Sequence, residues 1–452
     1  MSTLPETQPA GAADEPAPSQ SIPVSAFIPL YSSDIPARDW RTVAMLLVVL
    51  AFQGYAAAIP TIAAPWFSGD FHLNDTAMAR VFAGFALSSF GALGLARMAD
   101  RFGRRRILMW SAYAMPVAAM GAAAATNVVA FVGCIIVVEA FLGAALASSV
   151  VMMAELLPVP RRAAGQSWAG LASAVGGGLC VFLAPVLAGL QISWRLLLAI
   201  PALGIVILPA VVRRIPESAR WERRVREERR GAPGHFYDIF GPLYRRRAIT
   251  VLVCSLLAAF SVEGVNSYSY FHAVSVVGLT AGFASAFTII GGGLGMVGFP
   301  IGAWMAERFG RVPTIVTFGA STSVVALAYF WGPPLGFPHP SLWLGTAFLF
   351  MNAATNATMV ASNSAVTELF PTALRGTIMG WFALMSAVGA LSAESTIASL
   401  AAPAGGLSVI TGWLSLLGIP GAILFGLVIE ETRGLSLEAA AREAAFDARP
   451  AD

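Results

Sequence analysis

Twelve long apolar stretches, separated by short polar ones, dominate the sequence. They lie at about residues 42–66, 78–96, 107–125, 128–154, 164–189, 194–212, 248–272, 280–305, 313–332, 341–366, 374–400 and 408–429. An α-helix needs about 20 apolar residues to cross the hydrocarbon core of a bilayer. The pattern therefore predicts an all-α membrane protein with twelve transmembrane helices, which are numbered here as spans 1 to 12.

A polar stretch between spans 2 and 3, RMADRFGRRR at 97–106, contains five arginines within ten residues. A charged residue near the middle of a membrane helix costs about 2.5–3.5 kcal/mol, so this stretch is expected outside the lipid. Gly103 permits a sharp change of direction, and the sequence predicts a tight hairpin there. The RFGR motif of this hairpin (101–104) recurs between spans 8 and 9, at 308–311.

The recurrence belongs to an internal duplication that covers most of the chain. Glu155 and Arg162 recur as Glu368 and Arg375, and Glu217 recurs as Glu431. Repeats of this kind predict two homologous six-helix halves in parallel orientation. The expected division is a disordered cytoplasmic tail (1–37), an N-terminal half (38–212), a basic cytoplasmic linker (213–247), a C-terminal half (248–429) and a cytoplasmic tail (430–452).

The distribution of arginine predicts the orientation in the membrane. If the N-terminus is cytoplasmic, 26 of the 28 basic residues fall in cytoplasmic segments, and only Arg80 and Arg195 lie on the other side. Cytoplasmic loops carry an excess of basic residues. We therefore expect a multi-pass protein of the inner (plasma) membrane with both termini in the cytoplasm.

Composition excludes several classes of function. The chain is 57% hydrophobic and 12% charged, and all of its basic residues are arginine, so it has no P-loop lysine and no Schiff-base lysine. The three cysteines and four histidines show no metal-ligand spacing. We expect no metal, no cofactor and no enzymatic activity. The basic linker fits a membrane surface better than nucleic acid, and a monomer is expected.

With these motifs the chain resembles the major facilitator superfamily, and the resemblance covers about residues 40–440. The hairpin DRFGRRR (100–106) is similar to the family's signature between helices 2 and 3. Four further segments resemble the sugar porters and the related aromatic-acid symporters and organic-cation carriers: ELLPVPRR (155–162), IPESAR (215–220), TELFPTALRG (367–376) and EETRGLSLE (430–438). Where this branch has paired glutamines in helix 7, the chain has Phe260 and Ser261. The resemblance implies transport by alternating access, with spans 1, 4, 7 and 10 lining a central cavity.

Three glutamates lie inside apolar spans: Glu139 in span 4, Glu263 in span 7 and Glu394 in span 11. Ionisable residues are expensive in a membrane and mark functional sites by default. A carboxyl group in a partly dry cavity can bind and release a proton near neutral pH. The alternative is a glutamate that is buried in neutral form or bonded to a neighbouring helix for structure alone.

Polar residues also recur at helical spacing on two spans that the resemblance places around the cavity. In span 7, Asn266 and Tyr270 follow Glu263 at i+3 and i+7, and in span 10 Asn352 and Asn356 are four residues apart. These two stripes, with Gln53 in span 1, are candidate binding residues. Hydrogen bonding between helices is the alternative explanation.

A second candidate set lies at the cytoplasmic helix ends. In the resembling family such residues join the two halves by salt bridges when the carrier opens outward. The set consists of Asp100, Arg101, Gly103, Arg104, Glu155, Arg162, Glu217, Glu307, Arg311, Glu368, Arg375 and Glu431. The alternative is that these charges only fix the topology.

Together these features favour a secondary active transporter. We expect proton-coupled uptake of a small organic solute, and because no arginine lies deep in a span, a neutral or cationic one fits better than an anion. Proton-driven efflux of a drug-like compound or metabolite remains the alternative. A transporter-like receptor that binds without transport is a third possibility of a different class.

Overall fold

A computed structural model describes residues 37–157, 162–217, 238–332 and 339–433. Within these ranges the secondary structure is helical. Spans 1 to 6 comprise Ala37–Ile62 with Ala64–Asp70, Asp75–Ala86 with Ser88–Phe102, Arg104–Ala124, Val128–Leu156, Arg162–Gly189, and Trp194–Leu198 with Ala199–Val212. Spans 7 to 12 comprise Arg245–Phe271 with His272–Val276, Ala281–Gly295 with Gly298–Arg308, Arg311–Trp331, Pro340–Glu368, Thr372–Leu400, and Leu407–Ser415 with Gly418–Val428. A short 3-10 turn, Asp238–Phe240, precedes span 7.

These helices confirm the predicted twelve-span, two-repeat architecture. Eleven of the described helical segments are both long and apolar enough to cross a membrane. The twelfth, span 10, has 29 residues and is long enough, but it carries three asparagines and four threonines. A polar membrane helix of this kind has to face other protein or water rather than lipid. Most of each predicted tail and most of the predicted linker lie outside the described residues.

The two predicted hairpins turn at glycines. Gly103 has a φ of 102° and Gly310 a φ of 114°, a backbone conformation that side chains disfavour. A Cβ atom at Gly310 would also collide with the carboxylate of Glu431. The end of the bundle that carries these hairpins is called the hairpin face below, and the other end the opposite face.

At the opposite face, polar residues begin the helices. The side chains of Asn74 and Asn127 accept hydrogen bonds from the backbone N–H groups of Ala77 and Ala130, each at 2.8 Å. These bonds satisfy donors that the first turn of a helix leaves without partners. The short polar breaks in the hydrophobic pattern are therefore true helix starts.

The two halves pack against each other mainly at the opposite face. One hydrophobic core there combines buried residues of both halves, including Phe82 and Tyr268. At the hairpin face the core is divided into one cluster in the N-terminal half and another in the C-terminal half. The first helix of span 2 packs closely on span 11, whereas its second helix has far less contact with it. The described bundle is thus closed at the opposite face and separated at the hairpin face.

Candidate functional site

The structure places the three predicted membrane glutamates in one neighbourhood. Glu263 in span 7 interacts electrostatically with Glu139 in span 4 and with Glu394 in span 11. The group therefore contains a carboxyl from the N-terminal half and two from the C-terminal half. These residues are called the three central glutamates below.

Glu139 is held by a break in a neighbouring span. Its Oε2 atom accepts a hydrogen bond of 2.9 Å from the hydroxyl of Ser88. Ser88 is the first residue of the second helix of span 2, directly after the break at Leu87. A movement of one part of span 2 would therefore change the surroundings of Glu139.

Glu394 is almost completely buried, with 1% of its surface exposed. Its Oε2 atom accepts a hydrogen bond of 2.6 Å from the hydroxyl of Tyr268 in span 7. Its Oε1 atom has no hydrogen-bond partner among the described residues. The ring of Tyr268 packs edge to face on Phe82 of span 2, with centroids 5.0 Å apart. Glu394 is thus linked through one tyrosine to the contact between the two halves.

Glu263 is the one of the three central glutamates whose carboxyl group is most accessible to water or a solute. It is partly exposed, and its carboxyl group makes no hydrogen bond with any described residue. Asn266, three residues later and on the same side of the helix, is exposed. These two polar side chains can therefore meet water or a solute.

The rest of the predicted span 7 stripe lies elsewhere. Tyr270 is 2% exposed, and its hydroxyl lies 3.0 Å from the hydroxyl of Ser285 in span 8. Its ring also packs against Trp66, with centroids 6.4 Å apart. Tyr270 thus belongs to the closed core of the opposite face, although the helical spacing predicted a shared face with Glu263.

The span 10 stripe takes part in helix packing. The side-chain amide of Asn356 donates a hydrogen bond of 3.1 Å to the backbone carbonyl of Gly295 in span 8. The amide of Asn352 donates to the carbonyl of Phe348 in its own helix, at 2.9 Å. The bond of Asn356 favours the alternative explanation, hydrogen bonding between helices, whereas the bond of Asn352 stays within span 10. Helical spacing gives the shared side of span 10 but not the neighbour that this side meets.

Gln53 in span 1 is buried, with 2% of its surface exposed. Neither its amide oxygen nor its amide nitrogen has a hydrogen-bond partner among the described residues. The buried hydroxyl of Tyr55, two residues later, also has no hydrogen-bond partner among the described residues. Buried polar groups are normally satisfied, so a polar solute or water is the natural partner for this part of span 1.

Two residues of this site were missed by the sequence reasoning. Ser88 and Tyr268 hold Glu139 and Glu394, respectively, from other spans. Neither contact is local in sequence, because 51 residues separate the first pair and 126 the second. Only the tertiary structure identifies them as partners.

At the hairpin face, two predicted gate glutamates cap helices. The carboxylate of Glu217 accepts hydrogen bonds from the backbone N–H groups of Arg104 at 3.1 Å and Arg105 at 3.2 Å, at the start of span 3. Glu431 accepts equivalent bonds, each of 2.9 Å, from Arg311 and Val312 at the start of span 9. Each contact lies within one half, and the internal repeat relates the two contacts to each other.

Other predicted gate residues bond within a half, are exposed, or have side chains outside the part of the chain that the structure describes. Arg311 forms an ion pair of 3.0 Å with Glu368, which also accepts a hydrogen bond of 2.6 Å from Thr432. Glu307 is exposed at the same face. The side chains of Asp100, Arg101, Glu155, Arg162 and Arg375 lie outside the described residues. Salt bridges between the halves therefore remain a prediction.

We expect the caps to contribute measurable stability. A carboxylate at a helix N-terminus satisfies otherwise unpaired N–H groups and interacts favourably with the helix dipole, so Glu217→Ala and Glu431→Ala should each lower the free energy of unfolding by about 1–2 kcal/mol. Thermal unfolding of the purified variants in detergent measures this. Glu307→Ala, which removes an exposed glutamate from the same face, is the control and should have little effect. Equal losses in all three variants would contradict the capping role.

The chain is similar to a known family and to known transporters over most of its length. The family model described as Major Facilitator Superfamily matches residues 44–394. The major myo-inositol transporter IolT of Bacillus subtilis is 25% identical over 430 residues, which covers 85% of this chain and 90% of that protein. A gentisate transporter of Corynebacterium glutamicum is 23% identical over 354 residues, or 76% and 77% of the two chains.

Solved structures show the same fold. The crystal structure of a D-xylose–proton symporter covers 88% of this chain and 99% of its own, with a TM-score of 0.70 and 19% sequence identity. An inward-open structure of the xylose transporter XylE from E. coli has a TM-score of 0.66 at 19% identity, covering 89% and 98% of the two chains.

Proposed function

Because the chain belongs to the major facilitator superfamily, as its hairpin motifs predicted, we propose that it is a proton-coupled carrier that takes up a small neutral or cationic organic solute. It is a multi-pass membrane transporter of small organic solutes and not an enzyme. The observation that supports proton coupling is the group of three central glutamates. One comes from the N-terminal half and two from the C-terminal half, so a change of proton occupancy can bias the arrangement of the halves.

The carboxyl groups supply the proton-binding chemistry of this proposal. Glu139 belongs to the N-terminal half, and Glu263 and Glu394 belong to the C-terminal half. A carboxyl that meets water first on one side of the membrane and then on the other can carry one proton per cycle. Glu263 is the first candidate, because its carboxyl group makes no hydrogen bond with any described residue that a proton or solute would have to displace.

The orientation is part of the proposal. The positive-inside rule puts the arginine-rich hairpin face in the cytoplasm, with both termini, and the membrane is then the inner membrane of a bacterium. In that orientation the described arrangement is an inward-facing state, since the halves are closed at the opposite face and separated at the hairpin face. Uptake would end in this state with release of solute and proton to the cytoplasm.

The charge of the cavity supports a neutral or cationic solute. Among the described residues, every arginine lies near an end of the bundle, so none is placed to pair with an anion beside the three central glutamates. A neutral polyol, the class to which the myo-inositol of one relative belongs, can hydrogen-bond to Glu263 and Asn266. The central carboxyl groups that are ionised would repel an aromatic carboxylate of the gentisate type.

Transport assays with purified protein in liposomes test this function. A pH gradient, acidic outside, should drive accumulation of a labelled polyol or organic cation, and a protonophore should abolish it. The solute panel contains myo-inositol, xylose, choline and gentisate, with protein-free liposomes as the control. Accumulation of gentisate alone would overturn the substrate class, and accumulation only with the opposite gradient would favour efflux. Binding of a solute without any transport would favour a receptor.

A further inference from the structure

A basic cavity of about 280 Å³ lies at the hairpin face of the N-terminal half. It is formed by the start of span 1, the start of span 3 and the end of span 6. Four arginines line it, Arg41, Arg105, Arg213 and Arg214, and its other lining residues carry no charge. Four cations around one small cavity repel each other unless an anion joins them.

The arginines have guanidinium groups available for an anion. Arg41 and Arg214 are exposed and make no ion pair with any described residue. Arg105 donates through Nη2 to the backbone carbonyl of Arg213 at 2.8 Å, and its buried Nε has no partner among the described residues. The nearby carboxylate of Glu217 is bonded to backbone N–H groups of span 3. Guanidinium groups in such a setting favour a phosphate, which they bind through several oxygens.

An apolar stripe leads from this cavity along the outside of span 3. Arg213 donates a hydrogen bond of 2.8 Å to the hydroxyl of Tyr113, whose side chain is exposed. Trp110, Val117 and Met120 are exposed on the same side of the helix, at i−3, i+4 and i+7 from Tyr113. Tryptophan and tyrosine are enriched where a membrane helix meets the headgroups. The cavity therefore lies at headgroup depth, with a surface for acyl chains beside it.

The internal repeat provides a comparison within the same molecule. The 214-residue offset that relates Glu217 to Glu431 places Leu427 and Val428 where span 6 has Arg213 and Arg214. In that corner of the C-terminal half, Arg247 forms an ion pair of 2.5 Å with Glu430. One corner is thus partly neutralised by the chain itself, while the other has gained arginines.

We propose that the cavity between spans 1, 3 and 6 binds the headgroup of an anionic phospholipid, such as phosphatidylglycerol, with the acyl chains lying along span 3. Basic pockets between membrane helices bind anionic headgroups in this way. The apolar stripe favours a lipid over a free phosphate, because a free phosphate has no apolar part that could pack against it. The inference concerns the membrane surface and does not depend on which solute is transported.

Binding of short-chain lipids to the full-length protein in neutral detergent tests the proposal. Native mass spectrometry should detect retained dioctanoyl phosphatidylglycerol, with much weaker retention of dioctanoyl phosphatidylcholine or inorganic phosphate. Each arginine near an anionic surface contributes about 1 kcal/mol, so Arg41→Gln with Arg214→Gln should weaken phosphatidylglycerol binding by about 25-fold, or about fivefold per arginine.

A matched pair of substitutions lies in the other half. Arg245→Gln with Arg246→Gln removes the same charge from exposed positions of the same face and should change binding by less than about threefold. The single variant Arg214→Gln gives a fivefold test if the double variant does not fold. Equal losses from both pairs, or equal retention of both lipids, would overturn the site. Inorganic phosphate that binds as well and depends on the same arginines would replace it with a small-anion site.

Discussion

Replacing Glu263 by glutamine should abolish proton-driven accumulation while leaving solute exchange intact. The substitution keeps the size of the side chain and its capacity to accept a hydrogen bond but removes the proton. A carrier that moves one proton with each neutral solute gains about 2.3 kcal/mol for each 100 mV of driving force, which corresponds to roughly 50-fold accumulation. The variant should equilibrate the solute instead, so the inside-to-outside ratio falls to about one.

The two kinds of assay separate coupling from binding. Counterflow, in which labelled solute exchanges for unlabelled solute without net proton movement, should continue in Glu263→Gln at a comparable rate. Glu139→Gln is the second candidate, because its carboxyl belongs to the other half and bonds to Ser88 at the break in span 2. If both variants accumulate solute like the wild type between about pH 5.5 and 8, neither glutamate carries the coupling proton.

Glu394→Gln serves as the comparison within the same group. Its carboxyl is buried and already bonded to Tyr268, so glutamine can accept the same hydrogen bond. We expect a smaller loss of accumulation than in Glu263→Gln. A larger loss in Glu394→Gln would move the proton site from the accessible carboxyl to the buried one.

The fold could be predicted from the sequence because the bilayer imposes strict rules on it. Apolar length fixes the spans, and charged segments such as 97–106 cannot lie in lipid. Span 10 shows where composition alone is weaker, because its asparagines and threonines make it too polar for a criterion of length and hydropathy. The stretch at 341–366 is nevertheless apolar enough to stand among the twelve predicted spans.

The candidate site could be predicted only in part. The cost of a carboxyl in lipid singled out Glu139, Glu263 and Glu394, and the structure brings these three together. Helical spacing was a poorer guide, because it gives the side of a helix without the neighbour on that side. Asn356 thus bonds to span 8, and Tyr270 lies in the closed core.

The hairpin charges show a different limit. The repeat relates Glu217 to Glu431, and the structure gives the two carboxylates equivalent bonds to backbone N–H groups at the starts of spans 3 and 9. A sequence records that charges of both signs lie near each other. It does not show that a glutamate can bond to the backbone N–H groups at the start of a helix instead of to the side chain of an arginine.

Phe82→Ala should shift the carrier away from the state that is closed at the opposite face. Phe82 is 4% exposed, and its ring packs on Tyr268 of the other half at 5.0 Å. Truncating a buried phenylalanine costs about 3–5 kcal/mol in a protein core. If about 2 kcal/mol of that loss falls on the contact between the halves, the ratio of the two states changes about 30-fold.

Phe85 provides a matched control on the same helix. It is also 4% exposed, and its ring packs on three rings of its own half, with centroids 5.5 Å away for Phe82, 6.2 Å for Phe131 and 6.5 Å for Phe67, but the structure shows no ring contact between Phe85 and the described residues of the other half. Phe85→Ala should therefore lower the melting temperature about as much as Phe82→Ala, without the same shift between states.

Labelling of a single cysteine distinguishes the two effects. Asn266→Cys, in a background without Cys134, Cys180 and Cys254, places the reporter at an exposed position near Glu263. In inverted vesicles, an impermeant maleimide should label it from the hairpin face, and Phe82→Ala should reduce the labelled fraction while Phe85→Ala leaves it unchanged. Equal labelling in the two variants would mean that the contact between Phe82 and Tyr268 stabilises the fold without favouring either state. A selective decrease would identify this aromatic contact, made by the same Tyr268 whose hydroxyl bonds to Glu394, as part of the closure of the opposite face.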